Sequence, residues 1–93
     1  MSVNCLGYQQ ITSLSSAQTL TIPAGTEYAI VQAETQACRW RHDGTAPTAS
    51  IGLRLILGTE LRVEEQVSRI QFIEETASAK LNISYYGLDA PTP

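Results

Sequence analysis

This sequence contains one histidine and two cysteines, the side chains best suited to act as a base, a nucleophile or a metal ligand. A single histidine, His42, cannot supply the two or three imidazoles of a β-barrel metal cage from one chain. Cys38 and His42 could pair as nucleophile and base, but four positions along an extended strand separate them by about 13 Å. The sequence therefore predicts that His42 is a surface turn residue beside Asp43 and Gly44.

The cysteines and carboxylates also favour structural roles. Cys5 and Cys38 form no CxxC pair, and two free thiols are expected, with a Cys5–Cys38 disulfide left open. The doublets 64–65 and 74–75 point to opposite faces if they lie on strands, so neither forms a paired acid and base. The triplet 82–84 fits the N-glycosylation pattern, but no secretory leader is expected, so we interpret it as a chance match. From these side chains we predict that the protein is not an enzyme and binds no metal or cofactor.

Charge argues against nucleic acid as a partner. The net charge is −3, from 6 basic and 9 acidic residues. The one local basic cluster, Arg39-Trp40-Arg41-His42, is bracketed by Glu34 and Asp43, whereas polyphosphate binding needs clustered cations. Apolar runs such as 55–57 are far below the roughly 20 residues that cross a bilayer, so no membrane segment is expected.

Length and patterning predict the framework for these residues. At 93 residues and 43% hydrophobic content, one globular domain is expected. Period-two alternation with intervening turn signals predicts an all-β fold of seven or eight short strands, a small antiparallel β-sandwich of jelly-roll type. The predicted strands cover 8–12, 19–22, 28–33, 37–41, 51–57, 61–64, 70–74 and 81–86. A helix over 58–73 is the alternative, and Gly52 and Gly58 are assigned to turns or bulges.

Alternation also assigns side chains to the core and to the surface. We predict an N-terminal arm with a first short strand over 1–17, a sandwich over 18–87 and a flexible tail over 88–93. The outward candidates for protein contact are Ile56, Tyr86, Arg39 and Arg41. The predicted core is Leu20, Ile22, Ile30, Val31, Trp40, Leu53, Leu55, Phe72, Leu81 and Ile83.

A resemblance suggests what such a surface is for. The run LTIPAGTEYAIVQAE over 20–34, followed by RWRHDGTAPTA over 39–49, resembles small virion proteins of tailed bacteriophages. The similarity continues through 70–74 and 80–86 and covers most of 7–87, and the pattern RWRxDGTxPT is its most specific part. His42 departs from the acidic residue expected before Asp43, which weakens any role tied to that turn's charge.

The resemblance implies a non-enzymatic virion subunit, made in the host bacterial cytoplasm, that works through repeated contacts on a symmetric lattice. A capsid decoration or cement protein that binds the major capsid protein, itself a homo-oligomer, is the leading expectation. A tail, collar or fibre component is the alternative on the same resemblance. A carbohydrate- or small-ligand-binding module, with Trp40 or Tyr86 stacked on a sugar ring, is the alternative from another class.

Overall fold

Two four-stranded antiparallel sheets make up the fold in the computed structural model, which describes residues 3–65 and 67–88. Sheet A consists of β1 (Val3–Ile11), β3 (Thr26–Glu34), β6 (Glu60–Val63) and β8 (Lys80–Leu88). Sheet B consists of β2 (Gln18–Thr19), β4 (Cys38–Arg41), β5 (Leu53–Leu55) and β7 (Gln71–Glu74). The predicted all-β class and antiparallel sandwich are confirmed, and the described residues contain no helix over 58–73 or elsewhere.

The chain folds back on itself about the loop over 42–52. In sheet A the strand order is β1-β8-β3-β6, and in sheet B it is β2-β7-β4-β5. Near the middle of the chain Cys38 pairs with Leu55, and near its ends Val3 pairs with Leu88. Each strand of the first half therefore has an antiparallel partner in the second half, from β4 with β5 outward to β1 with β8.

The core lies between the sheets, because alternate side chains of each long strand point inward. On β3 the inward residues Ala29, Val31 and Ala33 are buried, and on β8 Leu81, Ile83 and Tyr85 are buried. Phe72 and Ile70 close the core from the side of sheet B, and both are fully buried. None of the described residues forms a helix long and apolar enough to cross a membrane.

Most of the predicted core residues are buried, and two predictions are wrong. Burial is confirmed for Leu20, Val31, Leu55, Phe72, Leu81 and Ile83. Ile22 and Trp40 are partly buried and pack against the core. Ile30 is half-buried on the outer face of sheet A, because its neighbours Ala29 and Val31 point inward, so its assignment to the core is wrong. Leu53 is 62% exposed, which contradicts its assignment to the core. It pairs with Trp40 at the end of β5, where the described part of sheet A leaves it uncovered.

Strand lengths account for the other differences. The first strand is not short: it covers Val3–Ile11 instead of 8–12, because its pairing with β8 continues to Leu88. By contrast, the predicted strand over 51–57 shrinks to Leu53–Leu55, between Gly52 with φ of 141° and Gly58 with φ of 84°. Both glycines thus occupy the irregular positions predicted for them. Of the predicted flexible tail over 88–93, Leu88 belongs to β8, and the rest lies outside the described residues.

Candidate functional site

An exposed apolar patch follows the free edge of sheet B. In the described part of the chain, four of the six exposed large apolar side chains fall within seven positions of one another. We call these four the 51–57 patch: Ile51 (56% exposed), Leu53 (62%), Ile56 (47%) and Leu57 (49%). β5 lies at the edge of its sheet and pairs only with β4 there. The patch therefore combines open strand edge with uncovered hydrophobic surface.

A groove of about 620 Å³ opens beside the patch at the end of the sandwich. Its apolar lining comes from Trp40, Ile51 and Leu53. The lining is completed by Arg41 at the end of β4, by His42 and Asp43 after it, and by Gly52. The apolar walls and polar end suit a partner side chain that is apolar along its length and polar at its tip.

A carboxylate between two arginines holds β5 in place. Arg54 donates to both oxygens of Glu75, from Nε to Oε2 at 2.6 Å and from Nη2 to Oε1 at 3.0 Å. Arg39 Nε lies 3.0 Å from Oε2 of the same carboxylate as an ion pair, and its Nη1 donates to the carbonyl of Gly52 at 2.9 Å. The Arg54 guanidinium, and less strongly Arg39, lower the pKa of Glu75.

A second ion pair fixes the turn at the polar end of the groove. Arg41 donates to Asp43 from Nε at 3.1 Å and from Nη2 at 2.5 Å, and Asp43 also accepts the amide of Thr45 at 3.2 Å. These bonds lower the pKa of Asp43, and the hydrogen bond from Arg41 makes the largest contribution. Arg69 donates to the Asp43 carbonyl at 2.8 Å. The groove is consequently bordered by side chains already held in one arrangement.

The outer face of sheet A carries a different surface, made of tyrosines and amides. Tyr28 and Tyr86 stack with ring centroids 5.1 Å apart, and the Arg62 guanidinium lies 4.0 Å from the centre of the Tyr28 ring. Asn82 Oδ1 accepts from Tyr8 at 2.5 Å and from Gln10 at 2.9 Å. This face is ordered by contacts between neighbouring strands.

The four predicted contact residues do not come together. Ile56 lies in the turn after β5, and Arg39 and Arg41 point outward from sheet B, where each is held by a carboxylate. Tyr86 lies on the outer face of sheet A. Sequence reasoning missed the exposure of Ile51, Leu53 and Leu57. Gly52, inside the apparent strand, was a signal that the regular strand would begin after it, but it did not indicate that Leu53 would be uncovered.

The two cysteines lie in different environments and are not bonded to each other. Cys5 is exposed on β1, whereas Cys38 is buried on β4, and both thiols are free, so the disulfide left open does not form. Burial, with smaller contributions from Glu74 and Glu75, raises the pKa of Cys38 to about 11, the opposite of what a thiolate nucleophile needs. No group of three or more metal-ligating side chains occurs within the described residues.

Comparison with known proteins adds no family assignment. No protein-family model, curated protein or solved structure matches this chain. Function must therefore be argued from the surfaces of this molecule, together with the resemblance in its sequence.

Proposed function

We propose that this chain is a non-enzymatic structural protein of a bacteriophage virion that decorates or cements the capsid. The observation that carries the proposal is the 51–57 patch, in which four exposed large apolar side chains lie on the edge strand β5 and in the segments that flank it. Clustered apolar surface of this kind marks protein-interaction sites. The resemblance of the sequence to small virion proteins supplies the context, and the major capsid protein is the proposed partner.

The contacts that hold β5 and Gly52 support a role in binding. Glu75 anchors Arg39 and Arg54, and Arg39 holds the backbone carbonyl next to Leu53. A surface fixed before contact loses less conformational entropy when it binds. One patch on a small subunit gives modest affinity, and repetition over a symmetric lattice turns such contacts into firm attachment.

We also infer that the connections are of the jelly-roll type. Consecutive strands alternate between sheets A and B throughout, except that β4 and β5 are neighbours in sheet B. The pairing of β1 with β8, β2 with β7, β3 with β6 and β4 with β5 is what results when one long antiparallel hairpin folds over into two sheets. This sandwich architecture recurs in viral capsid domains.

The proposal is tested by adding purified protein to particles of the phage that encodes it, and locating it by cryo-electron microscopy. We expect density at repeated positions on the head. Leu53→Glu should weaken attachment at least about tenfold, because it places a charge in the apolar contact. Val3→Glu is the matched control, since Val3 is 52% exposed on the edge of the other sheet and should keep normal attachment.

Three outcomes decide between the candidate placements. Density confined to the tail, collar or fibres would replace the capsid assignment with the alternative virion role. Absence from the particle would overturn both roles. Equal attachment of the Leu53→Glu variant, with a normal circular-dichroism spectrum, would reject the 51–57 patch as the contact.

A carbohydrate-binding module is a second candidate, favoured by the outer face of sheet A. A groove of about 230 Å³ there is lined by Tyr8, Tyr86, Asn82 and Glu60, which combine ring faces with hydrogen-bonding groups as sugar sites do. Binding on a glycan array that Tyr86→Ala abolishes, while Trp40→Phe retains it, would support this function. An array without binding would exclude it for the glycans tested.

A further inference from the structure

The free edge of sheet A is a long strand without charge or proline. β1 covers Val3–Ile11, about 30 Å at 3.4 Å per residue, and its neighbour in the sheet is β8, on one side only. Natural proteins usually protect such an edge with charge, proline, a β-bulge or a short strand. β1 contains no charged residue and no proline. It is therefore an edge suited to pair with another strand.

The edges formed by β1 and β2 differ in charge from the edges formed by β5 and β6. The first charged residue of the chain is Glu27, so β1 and β2, the edge strands of the first half, both lie in an uncharged segment. The opposite edges carry charges instead, with Arg54 on β5 and Glu60 and Arg62 on β6. Because the net charge is −3, two copies of this chain repel least where their uncharged edges meet.

A bulge narrows the available edge to one half of β1. The register with β8 shifts between Cys5 and Gly7, and regular pairing then continues from Gly7 with Tyr85 to Ile11 with Leu81. Bulges bend a strand and interrupt pairing, so Gly7–Ile11 is the straighter part. Within it, Tyr8 and Gln10 both donate to Asn82 on β8, and their side chains lean over the sheet rather than over its edge.

We propose that two copies of this chain pair through Gly7–Ile11 of β1, antiparallel and related by a two-fold axis perpendicular to the sheet. The two A sheets then form one continuous eight-stranded sheet. An antiparallel strand edge is complementary to a second copy of itself, which makes such a contact isologous and closed. This proposal does not rest on the virion role, since it uses the edge opposite the 51–57 patch in strand order.

Cross-linking of single thiols tests the pairing in the full chain. The background is Cys5→Ser, in which the remaining Cys38 is buried and its pKa is raised to about 11, so it reacts slowly. A perpendicular two-fold axis keeps the outer faces on one side, so Tyr8 lies opposite Tyr8 or Gln10 of the second copy, or Gln10 lies opposite Gln10. We therefore expect a short bismaleimide to link Tyr8→Cys, Gln10→Cys or their mixture efficiently.

The control thiol belongs on the same face but away from the edge. Gln32→Cys is exposed on β3, which β8 separates from β1, and we expect it to cross-link no more than the Cys5→Ser background. Cross-linking at position 32 equal to that at 8 and 10 would show random collision and overturn the proposal.

A charge variant measures the same contact without chemical modification. Light scattering on size-exclusion peaks should show a dimer for the natural chain. Tyr8→Lys or Gln10→Lys should raise the dimer dissociation constant at least about tenfold, because each possible register brings the new lysines of the two copies close together in at least one of these variants. Gln32→Lys adds the same charge to the same face and should leave the dimer intact. A monomer at all concentrations, or a dimer insensitive to both Tyr8→Lys and Gln10→Lys, would overturn the proposal. Loss of the 51–57 contact would leave this dimer unchanged.

Discussion

The Glu75 carboxylate has the densest charged contacts among the described side chains. It joins Arg39 to Arg54, and through Arg39 it reaches the loop carbonyl of Gly52. Without the carboxylate, two guanidinium groups would face each other across the register pair that joins β4 to β5. We therefore expect Glu75 to matter more for the position of β5 than an ordinary surface acid would.

The depressed pKa of Glu75 predicts a defined pH dependence. Because the folded-state pKa lies below the ordinary value of about 4.3, the folded state holds the proton less tightly than the unfolded state. The stability gained is complete above that ordinary value and is lost as pH falls through the folded-state pKa. Glu75→Gln should thus lower the unfolding midpoint in urea at pH 6 to 7, and the difference from the natural chain should shrink toward pH 2.

Glu65→Gln is the control for that titration, because Glu65 is exposed in the polar connection after β6. It should leave the urea midpoint close to that of the natural chain across the same pH range. If the urea midpoint of Glu75→Gln stays below that of the natural chain by the same amount down to pH 2, the loss of stability comes from the altered side-chain shape and not from the lost ionisation.

At the scale of single strands, the close approach of β8 to the start of β3 sets a strict steric limit. Gly87 pairs with Thr26 beside a register shift, and a Cβ on it would overlap the carbonyl group of Gly25. That neighbour is backbone, so it cannot move aside as a flexible side chain would. Gly87→Ala should destabilise the fold by about 1–3 kcal/mol, as overpacking does, measured by urea unfolding.

Gly7→Ala is the matched comparison for this substitution. A Cβ at Gly7 meets only the Pro23 side chain at 3.5 Å, an ordinary contact. Its cost should therefore stay below about 1 kcal/mol. Equal losses for the two variants would mean that the strand crossing has room to relax.

β5 shows where sequence patterning succeeds and where it fails. Alternation over 51–57 correctly predicts that Leu55 is inward, and it correctly separates Tyr85 from Tyr86 on β8. It fails at Leu53, because a period of two assigns a face but not how far the opposite sheet extends over it. The 51–57 patch was beyond sequence reasoning for that reason, since exposure at the end of a strand depends on the length of strands elsewhere in the chain.

The length of β1 could not be predicted from local sequence either. Residues 3–7 lack regular alternation, and their bulge explains why: Cys5 is exposed while Leu6 packs against the core. Pairing with β8, from the far end of the chain, makes them a strand. Local propensity cannot report a contact of this sequence separation.

For the molecule as a whole, the nested pairing of strands predicts an order of folding. β4 and β5 are joined by the loop over 42–52, whereas pairing β1 with β8 closes a loop that contains nearly the entire chain. The entropy lost on closing a loop rises with the length of the loop. The pairs therefore form most favourably from the middle outward, starting with β4 and β5. Pairings this distant place the folding time in the range of about milliseconds to seconds.

Two buried positions separate the early contacts from the late ones. Leu55, on β5, is 4% exposed, and Ile83, on β8, is fully buried. Alanine at either position should cost at least about 2 kcal/mol, enough for a reliable kinetic ratio. Stopped-flow fluorescence of Trp40, the single tryptophan, should show that Leu55→Ala mainly slows folding, with a φ-value above about 0.5. Ile83→Ala should mainly speed unfolding, with a φ-value below about 0.3. The reverse order would mean that the chain ends meet first, and that the sandwich closes inward onto β4 and β5.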